Sequence, residues 1–307
     1  MNIAVIGYGS IGQRHAQNGQ KLGYTVDVYS NHKNKKLRNI QYDLVIVATK
    51  TSDHLKNIKQ FKNISNNFFI EKPLAANYKD GLAIKKLLTG KKVRIGYCLI
   101  FNPIIKKVKE VLDKKSLGNI SFAQIYAGSY LPDWREGVDY RKRYSAKKEE
   151  GGGVELDLIH EINYTQYFFK DKIMEASSYF DKVSKLEISS HDFAHIVLKQ
   201  KSRLITITLN YFQLLPERYV KLIGQEGVLF ADLIKNEIAI FDKRLKKVYG
   251  KKFDIDINQM YIDEIKSMIK FIAGKEKQQP ILGIDQAIRD LHIVASDTNE
   301  RLFWSNG

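Results

Sequence analysis

Apolar positions along the chain change their period once. In the first part, short continuous apolar runs at residues 3–6, 25–29, 44–48, 68–70 and 93–95 alternate with helical spacing at 11–22, 54–61, 78–88 and 103–112. Continuous runs are what strands buried on both faces require, and strand–helix alternation predicts a parallel sheet with right-handed crossovers. About a dozen residues separate the second and third runs, room for a helix of one or two turns. After residue 118 the period falls to two. Residues 120–130, 174–181, 193–198, 204–212, 219–223, 228–233 and 237–241 read as successive strands. Ile205, Ile207 and Leu209 point to one side, and Thr206, Thr208 and Asn210 to the other. That alternation predicts a largely antiparallel sheet with one more polar face. Helices are expected at 154–169, 257–273 and 284–303, the last with Ile284, Ala287, Ile288, Leu291, Val294 and Ala295 at helical spacing.

The expected architecture is α/β: a Rossmann-type parallel sheet over residues 1–118, then an α+β domain over 119–307 whose last helix packs back on the first. A chain of 307 residues suits two domains. No apolar run approaches the length of a membrane span, and Met1-Asn2-Ile3 enters a strand with no basic leader, so a cytoplasmic protein is expected. One cysteine, Cys98, excludes an internal disulfide and a cysteine-based zinc site, and the seven histidines lack ligand spacing, so no metal is expected. His191 and His195 fall in a strand pattern facing one side and read as sheet surface.

Charge sharpens the division. Residues 1–118 hold 22 Lys and Arg against 7 Asp and Glu, a net of +15; the remaining 28 and 27 leave +1. A basic first half points to an anionic partner. Its lysines are not interleaved with aromatic residues and no groove-reading motif occurs, so nucleic acid is not expected.

Four segments carry chemistry. Gly7-Tyr8-Gly9-Ser10-Ile11-Gly12 follows the first strand and opens a helix, the setting in which such a turn cradles a pyrophosphate at the helix N-terminus. After the second strand, where an NAD-binding chain offers an acid to the ribose, stands Ser30-Asn31-His32-Lys33-Asn34-Lys35-Lys36. A hydroxyl followed by bases suits a 2′-phosphate, so NADP is favoured over NAD. Asp27 lies inside the strand and should point elsewhere. Glu71-Lys72-Pro73 follows the fourth strand, where a lysine could donate to a substrate oxygen. Gly151-Gly152-Gly153 precedes a helix on which Asp157, His160, Glu161 and Tyr164 share a polar face, and a carboxylate-held histidine there suits general-base work. Each also has a bland reading: a structural turn, a solvated basic loop, an exposed lysine, a satisfied core histidine.

Taken together, the glycine turn, Ala48-Thr49 with His54, Glu71-Lys72-Pro73, Gly96-Tyr97, the triple glycine with His160, and Tyr211 with Gly224-Gln225-Glu226-Gly227 resemble the glucose–fructose oxidoreductase/inositol dehydrogenase family (Gfo/Idh/MocA). The resemblance spans essentially the whole chain. It implies a Rossmann domain joined to an open-faced, largely antiparallel α/β domain, and NAD(P)-dependent oxidation or reduction of a sugar or nucleotide sugar. It makes Lys72 and His160 the catalytic pair, with Asp157 in support. The implied cofactor set is Gly7, Gly9, Ser10, Ile11, Gly12, Ser30, Asn31, His32, Lys33, Ala48, Thr49, His54, Glu71 and Lys72. A homodimer or homotetramer is implied, a second subunit covering the open face.

A narrower resemblance rests on Tyr130-Leu131-Pro132-Asp133-Trp134-Arg135, Asp139-Tyr140-Arg141 and Tyr144-Ser145. It is similar to a subset associated with surface-polysaccharide and nonulosonic-acid sugar pathways. This implies substrate contacts from Tyr97, Trp134, Arg135, Tyr140, Arg141, Tyr144 and His160, with Arg135 and Arg141 forking onto a carboxylate or phosphate and the aromatic rings stacking on a pyranose. The chain departs from the family pattern in three places: Asp157 precedes His160 by three residues where four is common, Asn163 stands where aspartate is common, and Ile100 where arginine often follows Gly-Tyr. A non-catalytic sensor or assembly protein of the same fold is the alternative function.

Overall fold

A computed structural model describes residues 1–30, 40–295 and 302–303. In chain order the elements are β1 (Asn2–Ile6), α1 (Ser10–Lys21), β2 (Thr25–Tyr29), β3 (Leu44–Val47), α2 (His54–Phe61), β4 (Asn67–Glu71), α3 (Tyr78–Leu87), β5 (Lys92–Gly96) and α4 (Pro103–Asp113). There follow β6 (Ile120–Tyr130), α5 (Val154–Asp157), α6 (His160–Phe168), β7 (Glu175–Asp181), β8 (Phe193–Gln200), β9 (Arg203–Asn210), β10 (Phe212–Gly224), β11 (Gly227–Asp232), β12 (Glu237–Asp242) and β13 (Lys247–Lys252). The chain closes with α7 (Ile257–Ile272), α8 (Ile284–Ala295) and β14 (Leu302–Phe303). The short helix expected between β2 and β3 lies outside the described residues.

The chain forms two compact units. Met1–Cys98, Glu149–Gly151 and Ile257–His292 make the first; Leu99–Lys148, Gly152–Asp256 and Ile293–Gly307 make the second. So α7 and most of α8 join the amino-terminal sheet, and α4, which the strand–helix alternation attached to the first half, belongs to the second unit.

In the first unit five parallel strands run in the order β2-β1-β3-β4-β5. Ile3, Val5, Leu44 and Ile46 pack against Ala16 of α1 and Met268 of α7 on one face. Gly81 of α3 lies against Leu291 and Ile288 of α8. The strand order reverses between β1 and β3, and at such a switch point the carboxyl ends of the strands leave a crevice for a ligand.

The second unit is a nine-stranded sheet in the order β13-β12-β11-β10-β6-β9-β8-β7-β14. Only β6 and β9 pair in parallel; the other neighbours are antiparallel. Ala123, Ile125, Ile205, Ile207, Ile196, Val220 and Leu222 are buried on one face, while Gln124, Tyr126, Thr206, Thr208, His195, Tyr219 and Lys221 on the other are half-buried and Phe230 is exposed. At α4, Pro103 occupies the first turn and the Asn102 side chain accepts from the Ile104 amide at 2.8 Å, closing the helix start.

Four expectations need correction. The helix expected over 154–169 is broken: Leu158 leaves helical geometry, so α5 and α6 are separate and Asp157 and His160 do not share one continuous helix face. Of the helix expected over 284–303, Ile284–Ala295 is helical, but Leu302–Phe303 are extended beside β7. β13 was not anticipated, because its exposed, lysine-rich run lacks an apolar face; it sits at the sheet edge, where lysines discourage pairing with another strand. His191 precedes β8 and pairs with Glu155 at 2.9 Å, so it is not sheet surface. His195 does lie on the half-buried face, where Nδ1 is 2.9 Å from Thr208 Oγ1.

Candidate functional site: a main-chain cradle and a side-chain cluster

In the first unit the site is built mainly from backbone. Gly7 has φ +100°, and a Cβ there would stand 2.5 Å from the Ala48 carbonyl oxygen, so only glycine lets the turn lie against the end of β3. A Cβ on Gly12 would stand 2.2 Å from the Gly7 carbonyl, which is how α1 packs onto its own turn. Gly9 differs: nothing lies within 4 Å of its Cβ direction, and as the N-cap of α1 it brings no side-chain cap. The middle glycine therefore opens onto space at the positive end of a helix, the arrangement a pyrophosphate uses. Ser10 and Ile11 form the first turn of α1 beside it.

The other expected cofactor residues surround this edge. Ser30 follows β2, and its hydroxyl is sequestered from solvent with no partner among the described residues. Asn31, His32 and Lys33, with Lys35 and Lys36, lie outside the described residues. Asp27 points inward as expected: it accepts from the Tyr42 hydroxyl at 2.8 Å, and Tyr42 meets the Tyr29 hydroxyl at 2.7 Å. Burial, then the bonds to Tyr29 and Asp27, push the Tyr42 phenol up. Thr49 Oγ1 accepts from Asn57 at 2.9 Å. His54 is buried between two carbonyls, Nδ1 3.2 Å from Leu74 O and Nε2 3.3 Å from Thr49 O. Burial lowers its pKa, so it ties the loops after β3 and β4 together as a largely neutral ring.

Lys72 follows β4 and is half-buried, while Glu71 turns inward. His15 Nε2 lies 2.5 Å from Glu71 Oε1, and a Cβ on Gly96 would come within 3.0 Å of the same oxygen. Behind them, Glu264 of α7 is fully enclosed with both carboxyl oxygens lacking a partner among the described residues. Burial, then the charge of Glu71, raises its pKa well above the ordinary value. Burial likewise pushes the Cys98 thiol up to about 12, a value at which it is inert. Tyr97, expected to touch substrate, has no accessible surface and sits beside Asp290; it is core.

In the second unit side chains make the site. A Cβ on Gly152 would stand 2.1 Å from the Tyr144 carbonyl oxygen, so the glycine run presses the loop before α5 onto residues 144–147. Asp157 at the end of α5 thereby meets two phenols: Tyr144 donates to Oδ1 at 2.7 Å and Tyr211 to Oδ2 at 2.6 Å. Trp134 stands edge-on to Tyr211 with centroids 5.3 Å apart and donates from Nε1 to Ser129. Burial raises the phenol pKa of Tyr211 well up, and Asp157 adds to it. His160 opens α6, mostly buried. Next to it the buried Glu161 takes Arg218 Nε at 2.6 Å.

The structure thus brings Trp134, Tyr144 and Asp157 together around Tyr211. It turns Tyr140 and Arg141 elsewhere: the Tyr140 hydroxyl accepts from the Glu187 amide at 3.2 Å, and Arg141 pairs with Asp139 at 2.9 Å and with Glu187 at 3.3 Å. Arg135 is exposed. Sequence reasoning gave no role to Arg218, His191 or Arg143, because their partners Glu161 and Glu155, and the neighbour Arg135, are set by strand pairing and loop packing rather than by spacing. Among the described residues no group of His, Cys, Asp and Glu could hold a metal ion. No described helix is long and apolar enough to cross a membrane.

A parallel sheet with an open glycine turn at its switch point defines a dinucleotide-binding fold of Rossmann type, here in one chain with a mixed sheet carrying a buried Asp–Tyr cluster. Residues 20–98 match the model of the oxidoreductase family with an NAD-binding Rossmann fold, and residues 105–230 match the GFO/IDH/MocA C-terminal domain. The chain belongs to the GFO/IDH/MocA oxidoreductase family. It is 31% identical to oxidoreductase P35 of Formosa agariphila over 83% of this chain and 79% of that protein. It is 22% identical to myo-inositol 2-dehydrogenase of Thermotoga maritima over 90% and 89% of the two chains. Its fold superimposes on a levoglucosan dehydrogenase in complex with NADH with a TM-score of 0.79, at 13% identity, over 96% and 95% of the two chains.

Proposed function

We propose that the chain is an NAD(P)-dependent oxidoreductase acting on a sugar or nucleotide sugar, with residues 1–118 centred on cofactor binding and 119–307 on substrate binding and oligomerisation. The observation that carries this reading is Gly9, open at the uncapped N-terminus of α1 on the carboxyl edge of the sheet. A pyrophosphate fits there, with Gly7 to Gly12 as its cradle and Ser30, Ala48, Thr49 and His54 around the rest of the molecule. A bound nicotinamide supplies the hydride acceptor or donor. His160 exchanges the proton of the substrate hydroxyl, and the Lys72 ammonium donates a hydrogen bond to the same oxygen, so that oxidation leaves a carbonyl and sends the hydroxyl proton to the imidazole. Asp157, held by two phenols, fixes the segment that leads into His160 rather than moving a proton itself. The relatives named for inositol and levoglucosan support a polyol or sugar as substrate. The segment from Tyr130 to Ser145 supports a place in surface-polysaccharide sugar metabolism, and the half-exposed sheet face supports a homodimer or homotetramer.

The cofactor is NADP in preference to NAD, because Ser30 rather than an acid follows β2 and the Asp27 carboxylate is engaged by Tyr42. Titration with NADH and NADPH, followed by nicotinamide fluorescence, tests this: tighter NADPH binding is expected, lost when Lys33, Lys35 and Lys36 are neutralised. Tighter NADH binding overturns the preference, and binding of neither overturns the oxidoreductase reading. Lys72→Met and His160→Asn should each lower turnover by about a hundredfold or more, and His160→Asn should do so while leaving cofactor binding intact.

A further inference from the structure

Arg143 stands out among the cations of the second unit. Its Nε is shielded from solvent and its guanidinium meets no hydrogen-bond acceptor among the described residues. Burial, and behind it the charge of Arg135, pushes its pKa down, while Tyr144 and Asp157 nearby push the other way. The neighbouring Asp157 does not neutralise it, for both its oxygens already accept from phenols. By contrast Arg141 is spent on Asp139 and Glu187, Arg218 on Glu161, and Arg203 on Asp171. A partly desolvated guanidinium beside a second one, with its donors unused, is costly unless an anion completes it.

We propose that Arg143 and Arg135 together form an anion-binding subsite, beside the Tyr144–Asp157–Tyr211 cluster, that takes a carboxylate or phosphate group of the substrate. The substrate is then an acidic or phosphorylated sugar rather than a neutral one, and the fork is Arg143 with Arg135, not Arg141. Two guanidinium planes offer paired N–H donors that match the oxygens of either group, which a lone lysine does not. The inference rests on the sugar-oxidoreductase reading for the identity of the ligand, and on Arg143 itself for the existence of the site.

The test is calorimetric titration of the full-length protein with sodium glucuronate and with inorganic phosphate at constant ionic strength, with glucose as the neutral control. The two anions separate a sugar acid from a phosphorylated sugar. Saturable binding of at least one is expected, weakened about tenfold or more in Arg143→Met and in Arg135→Met. Arg244→Met, which removes one exposed charge from the β12–β13 turn, should leave it unchanged. Without anion Arg143→Met should melt no lower than the parent, since it removes a desolvated charge that has no partner; with anion the parent alone should gain. Failure of both anions to saturate, or binding to Arg143→Met equal to the parent, overturns the subsite. NADH titration of the same samples keeps the two readings apart. If NADH binds and the anions do not, only the subsite falls; if the anions bind through Arg143 and neither NADH nor NADPH binds, only the oxidoreductase reading falls.

Discussion

The two units build their sites from different materials. At the glycine turn of the first unit, backbone does the work: Gly7 and Gly12 leave no room for a Cβ and Gly9 leaves space for a ligand. In the second unit buried carboxylates and their donors make the site. Glu155 has His191, Asp157 has Tyr144 and Tyr211, Glu161 has Arg218, and Asp192 takes the Val183 and Ser184 amides and the Ser184 hydroxyl. Glu264 of the first unit is the exception to this pairing, enclosed with no donor among the described residues. A main-chain site is sensitive to added volume and indifferent to most side-chain chemistry. A site of paired buried charges is sensitive to the loss of either partner, because the desolvation cost of the survivor remains.

That contrast can be broken by mutation. The largest effect is expected from Arg218→Met, which strands Glu161 as a buried, unpaired carboxylate; a loss of about 3 kcal/mol in denaturant unfolding at neutral pH checks it. Gly12→Ala should cost about 2 kcal/mol by forcing α1 away from its turn, and should weaken cofactor binding as well. Tyr211→Phe removes one donor to Asp157 and should cost about 1.5 kcal/mol, with the circular dichroism of the fold otherwise unchanged. Equal tolerance of Arg218→Met and a surface substitution would end the claim that the second unit depends on its charge pairs.

Two smaller effects sharpen it. The pKa of Glu264 is raised in the folded state above the ordinary 4.5. The unfolded chain therefore releases this proton first, and stability falls as pH climbs from the ordinary glutamate range toward the folded value. Glu264→Gln should change Tm little at pH 4 and remove that decline at higher pH; an unchanged pH profile would mean that Glu264 is not held protonated. Gly9→Ala should alter stability by less than about 0.5 kcal/mol, since its Cβ enters open space, yet weaken nucleotide binding. Should Gly9→Ala bind NADPH as the parent does, the open turn is not the pyrophosphate cradle.

Much of this was legible without coordinates. The continuous runs at residues 3–6 and 44–48 specify strands with two buried faces, and the alternation at 205–210 specifies one buried face, so sheet type follows from local pattern. The glycine turn is legible because close backbone approach admits only one residue type. The helix break after Asp157 was not, because local spacing across 154–169 satisfies a continuous helix and no glycine or proline marks Leu158 as a break. The return of α7 to the first sheet was unreadable for a similar reason: an amphipathic face states that it is buried, not against what.

By itself, then, the sequence determined the period of every principal strand, the glycine cradle and the residue types available for proton transfer, since these depend on neighbours a few positions away. Only the tertiary structure decided which arginine keeps its donors unused and which carboxylate goes without a partner. Arg141 and Arg143 differ little in sequence context. What separates them is that Arg141 pairs with Asp139 and Glu187, whereas Arg143 lies within the field of Arg135 and of an Asp157 already bound by two phenols. Asp139 lies two residues from Arg141, but the second partner, Glu187, is brought from 46 residues away by loop packing, and no local pattern encodes that distance.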